Sequence, residues 1–111
     1  MGQIPRDRRI TTRCEILSLL KGRRVQGGAL ELFWRSAAQD RSRGACITPK
    51  FGHTSVERNR LRRRLKELMR ATVLTTPHEC DYLVRARPKA YELDFEGLDT
   101  ALKELLDETG G

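Results

Sequence analysis

Residues 54–70 carry the strongest structural signals in this sequence. Thr54 and Glu57 have the Thr-x-x-Glu spacing of a capping box, so a helix is predicted to begin here. Apolar residues then recur at steps of three and four positions, which gives the helix one face to bury. The members of that face are Leu61, Leu65, Leu68, Met69 and Thr72. We therefore predict an amphipathic helix that packs on a core.

The opposite side of this helix is strongly cationic. The segment holds six arginines and one lysine against two glutamates. Because like charges on one helix repel each other, this face gains stability when a polyanion neutralises it. Arginine also suits bidentate phosphate contacts, which favours a phosphate-binding surface over the alternative of an ordinary solvated helix. The polar side holds Asn59, Arg60, Arg62, Arg63, Lys66 and Arg70, with Arg58 and Arg64 at its margins.

The whole chain is basic as well. It has 111 residues, the size of one domain, and its 22 basic and 15 acidic residues give a net charge of +7. This balance favours a nucleic acid or an anionic membrane surface as partner. Membrane is the weaker interpretation, because no apolar run approaches the roughly 20 residues of a spanning helix and no signal peptide is visible. We expect a cytoplasmic protein without a membrane partner.

No catalytic or metal-binding pattern is visible. Cys14, Cys46 and Cys80 lie far apart without a Cys-x-x-Cys or a matched His spacing, so we expect buried or half-buried thiols rather than a zinc site or disulfides. His53 and His78 stand in predicted loops without partner patterns, and the serines lack a nucleophile-elbow sequence. The chain is therefore expected to bind a partner and to bring no catalytic group, metal or cofactor of its own.

The rest of the chain predicts a single α+β domain with the element order α-β-β-(β)-α-β-α. Residues 1–11 are predicted to form a basic arm and residues 12–108 the domain. Asp94 is predicted to cap a last, acidic helix that faces away from any polyanion, and residues 23–28 to form a turn. The other predicted elements are a first helix at 12–21, strands at 29–34 and 45–48 that pair as a hairpin, and a strand at 82–87.

Residues 49–67 resemble the signature helix of the bacterial ribonuclease P protein subunit and the segment that leads into it. The family's hallmark is Arg-Asn-Arg followed by a basic pair, which stands here at residues 58–60 and 62–63. Asp-Tyr-Leu-Val-Arg-Ala-Arg-Pro at 81–88 resembles the family's following strand, and Leu-Asp-Phe at 93–95 its entry to the last helix. The resemblance covers about residues 9–106.

The resemblance implies both a fold and a function. The fold is that of domain 2 of ribosomal protein S5, with a left-handed crossover around the signature helix, against the usual hand. The family subunit binds the catalytic RNA of ribonuclease P, which removes the 5′ leader of precursor tRNA by metal-dependent hydrolysis. The RNA carries the chemistry and uses Mg²⁺, and the protein adds affinity for the precursor. The implied partners are ribonuclease P RNA and precursor tRNA, without an obligate protein partner.

Two sets of site residues are implied by the same resemblance. The catalytic RNA would contact the signature helix and the strand end before it, at Lys50, Arg58, Asn59, Arg60, Arg62, Arg63 and Lys66. A cleft between the first helix and the sheet would hold the leader, lined by Ile16, Leu20, Phe33, Arg85 and Arg87. Many relatives have Phe where Ile16 and Leu20 stand, so weaker base stacking is expected here, and core packing is the alternative for both residues. Pro49 replaces a common basic residue, which removes one expected phosphate contact.

Two other functions compete with this one. A ribosomal or ribosome-assembly RNA-binding protein on a related fold would bind structured RNA without affecting precursor-tRNA cleavage. A DNA-binding regulator that used residues 58–70 as its recognition helix would need a short helix and a tight turn just before it. A strand and Pro49-Lys50-Phe51-Gly52 precede the helix instead, which disfavours the DNA-binding interpretation.

Overall fold

The computed structural model describes residue 10 and residues 13–36, 43–72 and 80–108. These residues form the predicted α+β domain, in which three strands precede the central helix and one follows it. Most of the predicted arm at 1–11, Thr12 at the start of the predicted first helix, and His78 lie outside the described residues. The elements are α1 Arg13–Leu20, β1 Arg23–Gln26, β2 Leu30–Ser36, β3 Arg43–Ile47, α2 Ser55–Ala71, β4 Cys80–Ala86, a 3-10 helix Pro88–Glu92 and α3 Phe95–Glu108.

The four strands form one mixed sheet in the order β1-β2-β4-β3. β1 pairs antiparallel with β2, and β2 pairs antiparallel with β4. β3 pairs parallel with β4, so the chain passes from β3 through α2 to reach the neighbouring parallel strand. The crossover implied by the family resemblance therefore exists in this fold, and its left-handed sense stays a prediction.

The predicted hairpin between the second and third strands is wrong. β4 lies between β2 and β3, and β3 occupies the sheet edge. The reason is burial: four consecutive residues of β4, from Asp81 to Val84, are buried, as expected of a strand covered on both faces. β3 is shorter and only Gly44 in it is fully buried, so it suits the edge. Strand patterns identified both strands but not their partners.

The predicted turn at residues 23–28 is also wrong over its first part. Arg23–Gln26 forms β1, whose backbone pairs with β2 from Trp34 back to Glu31. Three of its four residues are exposed and Val25 is half-buried, so the strand lacks the apolar alternation that would have marked it. The turn is confined to the next residues, where the Gly27 N–H group donates to the Leu30 carbonyl at 2.8 Å.

The two faces of the sheet carry separate apolar clusters. α2 and α3 cover one face, and α2 buries Leu61, Leu65, Leu68 and Met69 there, which confirms four members of the predicted apolar face. The fifth, Thr72, is the half-buried C-cap residue. α1 covers the other face, because alternate residues of a strand point to opposite sides. The α1 cluster consists of Ile10, Leu19, Phe33 and Leu83, with Ile16, Leu20, Ala45 and Ile47 half-buried around it.

The basic helix α2 and the acidic helix α3 lie over opposite halves of one sheet face. α2 packs against the edge strand β3, whereas α3 packs against β2 and the other edge strand β1. Asp94 caps α3 as predicted, since its Oδ1 accepts the Gly97 N–H group at 2.8 Å. The opposite charges of the two helices are thus separated across the width of the sheet.

All three cysteines are free thiols. Cys46 and Cys80 are half-buried, as expected, but Cys14 is exposed, so the expectation of a buried or half-buried thiol is wrong there. Cys14 lies in the first turn of α1 and is about 140° around the helix from Leu19, which α1 buries against the sheet.

Candidate nucleic-acid interface

The start of α2 is fixed by the predicted capping box. The Thr54 side chain accepts the Glu57 N–H group at 3.2 Å, and the Thr54 N–H group donates to Oε1 of Glu57 at 3.0 Å. Nδ1 of His53 lies 3.1 Å from Oε2 of the same carboxylate. The hydrogen bond from the Thr54 backbone, followed by the one from His53, lowers the pKa of Glu57 to about 2. Glu57 therefore carries its charge at the positive end of the helix dipole.

The turn that leads into α2 is held against the 3-10 helix. Phe51 and Gly52 have positive φ angles of 47° and 86°, and the turn closes with the His53 N–H group donating to the Lys50 carbonyl at 2.8 Å. The His53 ring stacks on the Tyr91 ring at 3.9 Å between centroids. The Tyr91 hydroxyl donates to the Pro49 carbonyl at 2.6 Å. This arrangement fixes the direction in which α2 leaves β3.

The predicted contact residues for the catalytic RNA form one surface along α2 and the segment before it. Asn59, Arg60, Arg62, Arg63 and Lys50 are exposed, and Arg58 and Lys66 are half-buried. One hollow beside this surface is lined by Cys46, Ile47, Thr48, Pro49, Arg58 and Arg62. A second hollow, on the outer side of the helix, is lined by Val56, Asn59, Arg60, Arg63 and Arg64.

The first hollow contains an unusual guanidinium. Nε of Arg58 is buried and has no hydrogen-bond partner within the described part of the chain. Burial raises the pKa of the neighbouring Cys46 thiol, while the charges of Lys66 and Arg62 oppose that shift. The thiol is therefore not a source of negative charge near pH 7 and does not offset the charges of Arg58 and Arg62 in this hollow.

Four of the five predicted leader-contact residues come together on the other face of the sheet. Ile16 and Leu20 are half-buried beside Phe33, whose exposed fraction is only 2%. The Arg85 guanidinium carbon lies over the Phe33 ring, 5.1 Å from its centroid. Arg87, the fifth predicted residue, follows directly after β4, and its backbone N–H group donates to the Ala29 carbonyl at 2.9 Å. Ile16 and Leu20 thus take part in core packing.

Two buried carboxylates on this face were missed by sequence analysis. Asp81 is fully buried and accepts hydrogen bonds from Arg43 at 3.0 Å and from Arg35 at 3.2 Å. The same arginines reach α1, where Arg43 donates to Glu15 and Arg35 to Ser18, both at 2.9 Å. This network ties α1 to the end of the sheet where β4 begins.

The second buried carboxylate, Glu31, lies on the same face of the sheet, toward the opposite end of β2 and β4. Its side chain is 8% exposed and stands opposite Arg85 in the register of β2 and β4. Nε of Arg85 donates to Oε1 of Glu31 at 2.9 Å, and Nη1 of Arg24 donates to Oε2 at 3.5 Å. Strand alternation places Glu31 and Phe33 on one face, but only the register between strands shows that Arg85 joins them.

Within residues 10, 13–36, 43–72 and 80–108, no group of three or more His, Cys, Asp or Glu side chains is arranged to hold a metal ion. No helix in these ranges is both long and apolar enough to cross a membrane.

The fold and the charged helix together define a small basic α+β domain with a surface suited to polyanions. The family model described as Ribonuclease P matches residues 4–110, which is nearly the whole chain. This chain belongs to the ribonuclease P protein family.

Curated relatives agree with this assignment. The chain is 36% identical over 92 residues to the "Ribonuclease P protein component" of a Thermus thermophilus strain, covering 83% of this chain and 53% of the relative. It is 38% identical over 53 residues to the protein of the same name from Lactobacillus delbrueckii subsp. bulgaricus, covering 48% of this chain and 44% of the relative. The chain thus spans about half the length of the curated relatives it matches.

Solved structures show the same fold. The RNase P protein from Thermotoga maritima superposes with a TM-score of 0.78 at 25% identity, covering 90% of this chain and 96% of that one. A mutant of the Staphylococcus aureus RNase P protein superposes with a TM-score of 0.84, covering 94% of this chain and 89% of that one. Its identity to this chain is 19%, so that likeness concerns the fold alone.

Proposed function

We propose that this chain is the protein subunit of a ribonuclease P ribonucleoprotein and supports removal of the 5′ leader from precursor tRNA. Family membership gives the class of assembly, and the single observation that carries the proposal is the cationic surface of α2. Its cations outnumber the anions of the same helix seven to two. A surface with this charge is stabilised most by binding a polyanion. The planar guanidinium group of arginine can also form two parallel hydrogen bonds with one phosphate.

In this proposal the catalytic RNA lies along α2. Arg58, Arg60, Arg62, Arg63 and Lys66 contact phosphates, and Asn59 and Lys50 add hydrogen bonds to the backbone or the riboses. The capping box and the His53–Tyr91 stack keep the helix in place before the RNA arrives. A preformed cationic helix lowers the electrostatic repulsion between RNA strands that lie close together. Less magnesium is therefore needed to fold the RNA.

The 5′ leader of the precursor lies in the cleft beside α1, on the opposite face of the sheet. Ile16 and Leu20 supply apolar walls, and Arg85 and Arg87 supply charge. The chain contributes affinity for the precursor and leaves the chemistry to the RNA. The magnesium ions used in hydrolysis are bound by the RNA in this proposal. The assembly works in the cytoplasm and needs no further protein.

Cleavage of a leader-bearing precursor tRNA tests the proposal. The cognate bacterial ribonuclease P RNA is incubated at low magnesium with the native chain, with a variant carrying Arg58→Gln, Arg60→Gln and Arg62→Gln, or alone. We expect cleavage at the mature 5′ end with the native chain only. If the native chain binds the RNA tightly but leaves cleavage unchanged, the partner is another structured RNA, as in the ribosomal alternative.

A further inference from the structure

The aromatic ring in the α1 cleft is not itself accessible. Phe33 is 2% exposed, and the guanidinium carbon of Arg85 lies 5.1 Å from the ring centroid, within the distance of a cation–π contact. A base entering the cleft from solvent would therefore meet Arg85 before Phe33. Among the other cleft residues, Ile16 and Leu20 are aliphatic and offer no π-face.

Arg85 is held in this position by Glu31 as well as by the Phe33 ring. Its Nε donates to Oε1 of Glu31 at 2.9 Å, and Glu31, which stands opposite Arg85 on β2, is itself buried. The Arg85 side chain is nevertheless 34% exposed. Arg85 thus lies over the Phe33 ring, is fixed at Nε by a carboxylate, and keeps about a third of its side chain accessible to solvent.

We propose that the Arg85 guanidinium is the base-stacking platform of the cleft. An unpaired base of the leader stacks on the side of the guanidinium that faces away from Phe33, so that the guanidinium lies between the base and the ring. Guanidinium planes stack on bases as aromatic rings do, and Arg85 is already ordered by Phe33 and Glu31, so little side-chain freedom is lost on binding. The inference rests on the proposed function, since it names the group that the leader contacts.

Substitution of abasic nucleotides in the leader tests this platform. Holoenzyme is assembled from the cognate RNA and the chain, and its affinity is measured for precursor tRNAs that lack one leader base at a time. With the native chain, we expect loss of one particular base to weaken binding about 5- to 150-fold, the range for one stacked base. With Arg85→Lys, which keeps the charge but loses the plane, we expect the intact leader to bind equally weakly and the abasic penalty at that position to disappear.

Arg24→Lys is the matched control. Arg24 contacts the same carboxylate but lies over no ring in the described structure, so this variant should keep the full abasic penalty. A penalty that persists in Arg85→Lys, or a native chain that shows none at any leader position, would overturn the inference. A 2-aminopurine placed at the sensitive position gives a second measurement that needs no variant, since its fluorescence should fall when the native holoenzyme binds.

Leaderless tRNA separates this inference from the proposed function. If the native holoenzyme prefers leader-bearing precursor over leaderless tRNA, but Arg85→Lys retains the abasic penalty, the leader is bound by other groups and only the inference fails. If the native chain gives no such preference and no cleavage at low magnesium, the proposed function fails.

Discussion

Arg43 and Asp81 form a bidentate ion pair inside the fold. Nε of Arg43 donates to Oδ1 of Asp81 and Nη2 donates to Oδ2, both at 3.0 Å. The two residues stand opposite each other in the parallel strands β3 and β4, and Nη2 of Arg43 also donates to Glu15 of α1 at 2.9 Å. These hydrogen bonds, the one with Asp81 first, raise the pKa of Arg43 above its ordinary value. The pair thus connects the edge strand and α1 to the centre of the sheet.

Asp81→Ala should lower the free energy of unfolding by up to about 3–5 kcal/mol, because it removes the buried carboxylate that pairs with both Arg43 and Arg35 and leaves the largely buried Arg43 with Glu15 alone. Urea unfolding followed by circular dichroism measures the change. Asp99→Ala is the control, since Asp99 pairs with Lys103 at the surface at 3.0 Å and should cost only about 0–1 kcal/mol. Equal losses in the two variants would show that the buried pair contributes no more than an exposed one.

Glu57 gives the stability a defined acid dependence. Its pKa in the folded chain is about 2, below the ordinary 4.5, so its contribution to stability is complete above pH 4.5 and is lost as the pH falls toward 2. Glu57→Gln keeps a capping-box side chain but removes the charge, so it should be less stable than the native chain at pH 7.

The difference in stability between Glu57→Gln and the native chain should shrink from pH 4.5 to pH 2, the interval between the ordinary and the folded pKa of Glu57. Urea midpoints measured at several pH values test this. Glu67→Gln removes the same charge from the same helix without touching the cap and serves as the control. A difference between the native chain and Glu57→Gln that stays constant with pH would contradict the role given to the Glu57 carboxylate.

A glycine is required at position 52 because of the backbone conformation, and not because a side chain would lack space. Its φ of +86° is in the left-handed region, while a Cβ built on it meets nothing within 4 Å. Gly52→Ala should therefore lower the free energy of unfolding by about 1 kcal/mol through backbone strain alone. Gly28→Ala is the matched control, because its Cβ would also be nearly free of contacts and its φ is not in that region. We expect Gly28→Ala to be neutral or to stabilise by up to about 1 kcal/mol in the same urea titration.

Arg60→Ala should weaken RNA binding and make it less dependent on salt. Each lost phosphate contact reduces the slope of log K against log salt concentration by about 0.7–0.9. A filter-binding titration with ribonuclease P RNA measures the slope. Lys103→Ala removes one exposed positive charge from the acidic helix α3 and should leave the slope unchanged. The same slope for Arg60→Ala and the native chain would remove Arg60 from the interface.

The sequence predicted correctly the features that depend on residues close to one another in the chain. The capping box at Thr54, the apolar face of α2 and the cap at Asp94 each depend on residues within a few positions of one another, and the structure contains all three. β1 was missed because only Val25 in it is apolar, and an edge strand of charged residues gains its stability from the backbone of β2 rather than from a buried face.

The parts of the cleft that could not be predicted depend on strand register. The sequence named Phe33 as a cleft residue, but its cover by Arg85 and the anchor at Glu31 require β4 to lie beside β2. The predicted hairpin placed β3 there instead. Asp81 was overlooked for the same reason, because its partners Arg35 and Arg43 are 46 and 38 positions away in the sequence.

The edge strand β3 has a consequence for how two RNA segments would be spaced. Cys46 packs toward α2 and the next residue, Ile47, packs toward the α1 side, so the two proposed RNA surfaces meet across one strand. Two phosphate chains held at a separation on the order of the Debye length, about 8–10 Å, still repel each other in physiological salt. β3 would then hold the two RNA segments apart by the thickness of one strand. Cations on both sides of the strand would offset the repulsion between the catalytic RNA and its substrate.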